Sequence, residues 1–159
     1  MSSKYIIDSY AWIEYFRASK SGEIAKKYIE SKDSVTPTIV VSEISRKLVK
    51  EIELGNETAQ GRAERLEFIR AKSQIVDLDF ELAVEAGRIE VEMKKKEKGW
   101  GFAVSIVLCL AKSLNGKVVT GDMHFKKMDN AIIKEVIPFF EPNNFSFEYL
   151  TFAFRVKTY

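Results

Sequence analysis

The stretch KYIIDSYAWIEYF, Lys4 to Phe16, decides how the rest of the chain is read. Tyr5-Ile6-Ile7 is an apolar run too short for a helix. It ends at Asp8 and Ser9, after which Ala11, Trp12, Tyr15 and Phe16 fall at helical spacing. The pattern predicts a buried strand feeding directly into a helix. In an open parallel sheet, ligands sit in the crevice beyond the carboxyl ends of the strands. Asp8 stands at that edge, either as a helix N-cap or as a metal ligand.

Outward from this unit the same alternation repeats. Short strands are expected at Ser34-Val35-Thr36, Gln74 to Leu78, Lys117 to Thr120, and Glu135 to Ile137. Helices are expected between them: Ser21 to Ser31, then one opened by Pro37 that runs from Thr38 into the fifties, then Thr58 to Lys72. Gly55 reads as a helix stop. Asp79 caps a helix carrying Leu82, Ala86, Ile89 and Met93, and its Lys94–Lys98 end reads as a solvated terminus that complements the helix dipole. Phe102 to Leu114 is apolar almost all round and is therefore buried. Short apolar strands alternating with helices imply an α/β fold whose mostly parallel sheet is covered on both faces.

In such a sheet Asp122, which follows Gly121 at a strand exit, leaves at the same edge as Asp8. Glu43 lies in the first turns of its helix, one position off the apolar seam. It can join the two aspartates, or it can pair on the surface with Arg46 and Lys47 at i+3 and i+4. Three carboxylates forced together raise one another's pKa values. A divalent cation relieves that conflict and suits a phosphodiester substrate.

Composition narrows the classes. The chain has 159 residues, 46% hydrophobic and 30% charged, which suits one globular domain. A formal net charge of +2 permits nucleic-acid binding without arguing for it. Cys109 is the only cysteine, so no intrachain disulfide forms; it reads as a small buried hydrophobe, and a reducing cytoplasm fits. His124 is the only histidine, which removes two-histidine acid–base chemistry. Metal chemistry would then rest on carboxylates and favour Mg²⁺ or Mn²⁺. No stretch is long enough to span a bilayer, and no signal peptide opens the chain.

Three stretches together resemble the PIN domain, and within it the VapC-type toxins of toxin–antitoxin pairs. They are IIDSYAWIEYF from Ile6 to Phe16, the segment Val41-Ser42-Glu43-Ile44, and FAVSIVLCLAKSLNGKVVTGDMHF from Phe102 to Phe125. The resemblance implies an α/β/α sandwich with a short, mostly parallel central sheet. It implies an acidic quartet holding Mg²⁺ or Mn²⁺, hydrolysis of RNA in the cytoplasm, a VapB-like antitoxin partner and a homodimer. By position, Asp8 is the first acidic residue, Glu43 the second and Asp122 the fourth. Thr120, Arg46 and Lys47 are candidate substrate contacts.

The third acidic position is held by Val104, in Ala103-Val104-Ser105. Val104 is either natural to this chain or a change that disarms it. A valine cannot coordinate a cation, so weakened metal binding and little or no hydrolysis are expected. The alternative reading is a noncatalytic PIN-fold module that binds an antitoxin-like partner or RNA. A phosphoacceptor receiver domain fits less well, because the opening stretch presents one aspartate where that fold presents an acidic pair. Residues 1–138 are read as the PIN-like domain, and 139–159 as an aromatic-rich extension packing on the domain or on a partner.

Overall fold

The computed structural model describes residues 3–126 and the backbone of residues 131 and 132. The chain runs β1 (Tyr5–Ile7), α1 (Ser9–Phe16), α2 (Lys20–Ile29), β2 (Ser34–Pro37), α3 (Thr38–Glu53) and α4 (Ala59–Lys72). It continues through β3 (Gln74–Val76), α5 (Phe80–Lys94), α6 (Phe102–Ser113), β4 (Lys117–Val119), a 3₁₀ turn at Met123–Phe125, and β5 (Ala131–Ile132). The strands form one sheet in the order β3-β2-β1-β4-β5, and every pairing is parallel. With helices on both faces this is the expected α/β/α sandwich.

β1 is central because its residues can be buried on both sides: Ile6 and Ile7 have no exposed surface. Trp12 on α1 is equally buried. It stacks on Phe16 at 5.7 Å between ring centroids and meets Phe68 of α4 edge-on at 6.4 Å. Its indole N–H would be costly to bury unpaired. It donates to the Thr36 hydroxyl at 3.1 Å, and Thr36 and Ser34 both bond to Ser73 Oγ, at 2.7 and 3.0 Å. A polar thread thus crosses the base of the core with each hydroxyl partnered.

α6 packs on β1 and β4. Its residues from Ser105 to Ala111 are buried without a break, as its sequence requires. Cys109 is buried and free. Asp79 caps α5 as expected, accepting from the Leu82 amide at 2.8 Å. Gly55 follows α3 at φ +77°, a conformation that favours glycine.

Some boundaries differ from expectation. Pro37 is the last residue of β2, paired with Val76, and stands as the N-cap of α3 instead of opening the helix. With φ fixed near −68° it suits both the strand end and the cap. β3 stops at Val76 and β4 at Val119, short of Leu78 and Thr120. β5 is two residues long, too short to carry a hydrophobic period. The expected strand at Glu135 to Ile137 and the extension 139–159 lie outside the described residues.

Candidate functional site

Register builds the site. Ile7 lies opposite Val119, and the Asp8 amide extends the ladder by donating to the Val119 carbonyl at 3.1 Å. Asp8 is therefore set beside Thr120, 112 positions away in the chain. The Thr120 hydroxyl donates to Asp8 Oδ2 at 2.7 Å, and the Ser9 amide donates to Oδ1 at 2.8 Å. Asp8 is the N-cap of α1 and is also buried.

Burial lifts the Asp8 pKa to about 6. The hydrogen bonds from Thr120 and Ser9 oppose that rise, and the negative charges of Glu43 and Asp122 add to it. Glu43 and Asp122 thus share one electrostatic neighbourhood with Asp8. Glu43 is half-buried on α3 and, among the described residues, forms no ion pair with Arg46 or Lys47.

Asp122 is tied to the same thread. Its amide donates to Thr120 Oγ1 at 2.9 Å. Its Oδ1 accepts from the His124 amide at 2.9 Å and lies 2.7 Å from the imidazole Nδ1. Burial lowers the His124 pKa, but the hydrogen bond and charge of Asp122 outweigh it, leaving the ring above its ordinary range. The other ring nitrogen lies 3.4 Å from the Lys98 carbonyl, and the ring meets Trp100 edge-on at 5.6 Å. Trp100 in turn donates its indole N–H to Ser105 Oγ at 2.7 Å, in the first turn of α6. One continuous thread therefore runs from Asp8 through Thr120, Asp122 and His124 to the α6 N-terminus.

The place of His124 in that thread is what sequence reasoning missed. The available signal was an aspartate two residues before a histidine at a strand exit, an arrangement in which the carboxylate can cap the turn that carries the ring.

The remaining residues sit as follows. Val104 is half-buried in the first turn of α6, packed against the core. Arg46 is exposed on α3. Lys47 lines a groove of about 310 Å³ with Ile13, Phe16, Arg17, Ile44, Leu48 and Arg65. Burial and the nearby Arg17 charge lower its pKa.

Among the described residues, no group of three His, Cys, Asp or Glu side chains is placed to hold a metal ion. Both Asp8 oxygens already accept hydrogen bonds, and Asp122 Oδ1 holds the imidazole of His124. A hard divalent ion takes about six oxygen ligands. Among the described residues, the side chains as placed do not form a ready-made three-carboxylate site for Mg²⁺ or Mn²⁺.

The model of the PIN domain family matches residues 5–131. No curated protein sequence matches the chain. Among solved structures, the chain is similar to VapBC2 from Rickettsia felis bound to a DNA fragment from its promoter. Identity there is 16% over 80% of this chain and 95% of that one, at a TM-score of 0.63. A toxin–antitoxin complex from Klebsiella pneumoniae matches at 14% identity over 86% of this chain and all 100% of that one, TM-score 0.63. PAE2754 from Pyrobaculum aerophilum matches at 20% identity over 83% and 90%, TM-score 0.63. At such identities the likeness is one of fold, while the family match spans the whole sheet, from the first residue of β1 to the first of β5. The chain belongs to the PIN domain family.

Proposed function

We propose that this protein is a VapC-type toxin component built on a ribonuclease scaffold, with its hydrolytic activity severely weakened by Val104. The observation that carries this reading is the shared field at the sheet edge: Glu43 and Asp122 both act on a buried Asp8 whose pKa rises to about 6. Carboxylates are gathered there at a cost in repulsion, which a catalytic cleft explains and a purely structural edge does not. Asp8 would be the principal acidic residue, with Glu43 and Asp122 supporting it. Thr120 would hold Asp8 in orientation, and Arg46 and Lys47 are offered as contacts for an RNA backbone.

In the reading, a divalent ion such as Mg²⁺ or Mn²⁺ would supply charge neutralisation at the phosphate when bound. The present donor set holds it poorly, and replacing Val104 with a carboxylate is the change expected to restore it. The partners are a VapB-like antitoxin, RNA and a second copy of the chain, in the cytoplasm. Among the described residues, no helix is long and apolar enough to cross a membrane.

The test is RNA hydrolysis with Mn²⁺ by this chain beside Val104→Asp. The variant is expected to be faster by at least about tenfold, corresponding to ~1.4 kcal/mol in the barrier. Equal rates would remove Val104 from the acidic position.

A second reading, a noncatalytic module that binds an antitoxin-like protein or RNA, is favoured by one observation: no three-member metal-ligating group forms among the described residues. Under it, Val104→Asp gains no activity and the protein still co-purifies with a small, partly disordered partner.

A further inference from the structure

The groove beside Lys47 opens between α1, α3 and α4 and has a volume of about 310 Å³. Its floor is apolar: Ile13 and Phe16 come from α1, Ile44 and Leu48 from α3. Phe16 also belongs to an aromatic cluster. It stacks on Trp12 and meets Phe68 edge-on at 6.1 Å between centroids, and Tyr15 stacks on Phe68 at 5.8 Å. The Arg65 guanidinium lies over the Phe16 ring at 5.4 Å. A floor continuous with an aromatic cluster favours aromatic side chains as its occupants.

The charges around the groove are mixed, with the positive sign ahead. Arg17 pairs with Glu14 at 3.0 Å, and Arg65 with Glu57 at 2.7 Å. Around Lys47, Glu51 and Glu14 favour the ammonium, while burial, Arg17 and Arg46 disfavour it more strongly. Arg62 brings a further cation from α4, donating to Ser45 Oγ at 2.7 Å. An apolar segment that carries one acid suits such a surface, and one that carries a base does not.

The chain has a segment of that kind. The family match ends at Ala131, and eight aromatic side chains stand in residues 139–159. From Phe145 to Phe154 five of the ten residues are aromatic, and Glu148 is the only charged one. Left in water, so dense a run makes an apolar patch that protein surfaces rarely carry. Fully extended, the twelve residues 133–144 span about 40 Å, against ~35 Å across a domain of this size. That length brings Phe145 from the β5 edge of the sheet onto a helical face.

We propose that the groove between α1, α3 and α4 is the dock for the chain's own segment Phe145 to Phe154, with aromatic rings on the apolar floor and Glu148 toward Arg17 and Lys47. Docked there, the segment covers Lys47, which the proposed function offers to RNA. RNA or a partner protein that uses this groove then has to displace the segment first. The inference needs only the groove and the segment, and it holds whether or not the chain cuts RNA.

The test uses the full chain with labelled Ile and Leu methyls. In NMR spectra the methyls of Ile13, Ile44 and Leu48 should show nuclear Overhauser contacts to the rings of residues 145–154. They should shift on Phe147→Ala, while the methyls of Ile89 on α5 stay in place. Under mild oxidation, Lys47→Cys with Phe147→Cys should close a disulfide within one chain. It should do so well before Val91→Cys with Phe147→Cys, a control exposed on α5. Glu148→Lys should lower the melting temperature by about 2–4 °C, and adding Lys47→Glu should restore it. A disulfide formed between two chains, seen as a doubled mass, puts a second copy's segment in the groove and overturns the intramolecular dock. Groove methyls without contacts to residues 145–154, or a cross-link no faster than the control, overturn it outright. Methyls that shift only when a partner protein is added assign the groove to that partner and overturn it as well.

Discussion

The Thr120 hydroxyl donates to Asp8 Oδ2 at 2.7 Å while accepting the Asp122 amide at 2.9 Å, so one side chain links both aspartates at the sheet edge. Thr120→Val keeps the shape and removes both bonds. A buried carboxylate oxygen loses its donor, at an expected cost of about 1–3 kcal/mol. Urea unfolding measures this. In an Asp8→Asn background the cost should shrink, since a neutral amide suffers less from the missing donor, and a double-mutant cycle isolates the difference. A cycle with no coupling would contradict the linkage.

Asp8 makes stability depend on pH in a direction opposite to that of a salt-bridged carboxylate. Its folded pKa is about 6 against 3.8 for a solvent-exposed aspartate, so between these the folded state binds more protons than the unfolded one. The Asp8 contribution is fully present below 3.8 and is lost as pH rises through about 6. Asp8→Asn, which carries no charge to bury, should stabilise the protein by ~1–3 kcal/mol at pH 8, with the gap closing toward pH 4. Thermal melts of both proteins at the two pH values check the sign. A gap that widens on acidification would refute it.

Val104 is half-buried against the core, so an aspartate there exchanges apolar contact for charge. Without metal, Val104→Asp should lose about 1 kcal/mol, a fall of ~2–4 °C in melting temperature. Under the proposed function Mn²⁺ should recover that loss in the variant and leave the parent chain unmoved. Calorimetry with and without Mn²⁺ reads both effects. An equal Mn²⁺ shift in the two proteins would separate Val104 from the metal.

Gly121 sits between Thr120 and Asp122, directly under the ring of Tyr10. A Cβ there would lie 2.2 Å from Tyr10 Cε1, so the ring must move for alanine to fit. Gly121→Ala is expected to cost about 1–3 kcal/mol and to disturb the Asp122 turn. Chemical unfolding measures the first, and shifted amide resonances at His124 report the second.

Much of the framework was legible in the sequence because its signals are local. A three-residue apolar run followed by Asp8 and helical spacing specifies β1 and α1. The unbroken apolar residues of α6 specify a buried helix, and Asp79 announces the start of α5. Pro37 was harder, because a fixed φ serves a strand end and a helix cap alike. The site was legible as a set of edge carboxylates but not as a bonded thread. Thr120 meets Asp8 only through the β1–β4 register, which no local pattern encodes. His124 meets Asp122 within three residues, yet as the lone histidine it drew attention for the chemistry it excludes and not for the turn it closes.

The central strand has a consequence in time. β1 is made first, but its neighbour β4 ends at Val119, more than a hundred residues later. During synthesis the N-terminal strand and its helices can collapse early, since domains begin to fold as the chain emerges. Asp8 nevertheless waits for Thr120 and Asp122 until almost the whole domain has left the ribosome. A translation product that stops short of β4 cannot assemble the carboxylate edge, so any chemistry of that edge is withheld from every unfinished copy.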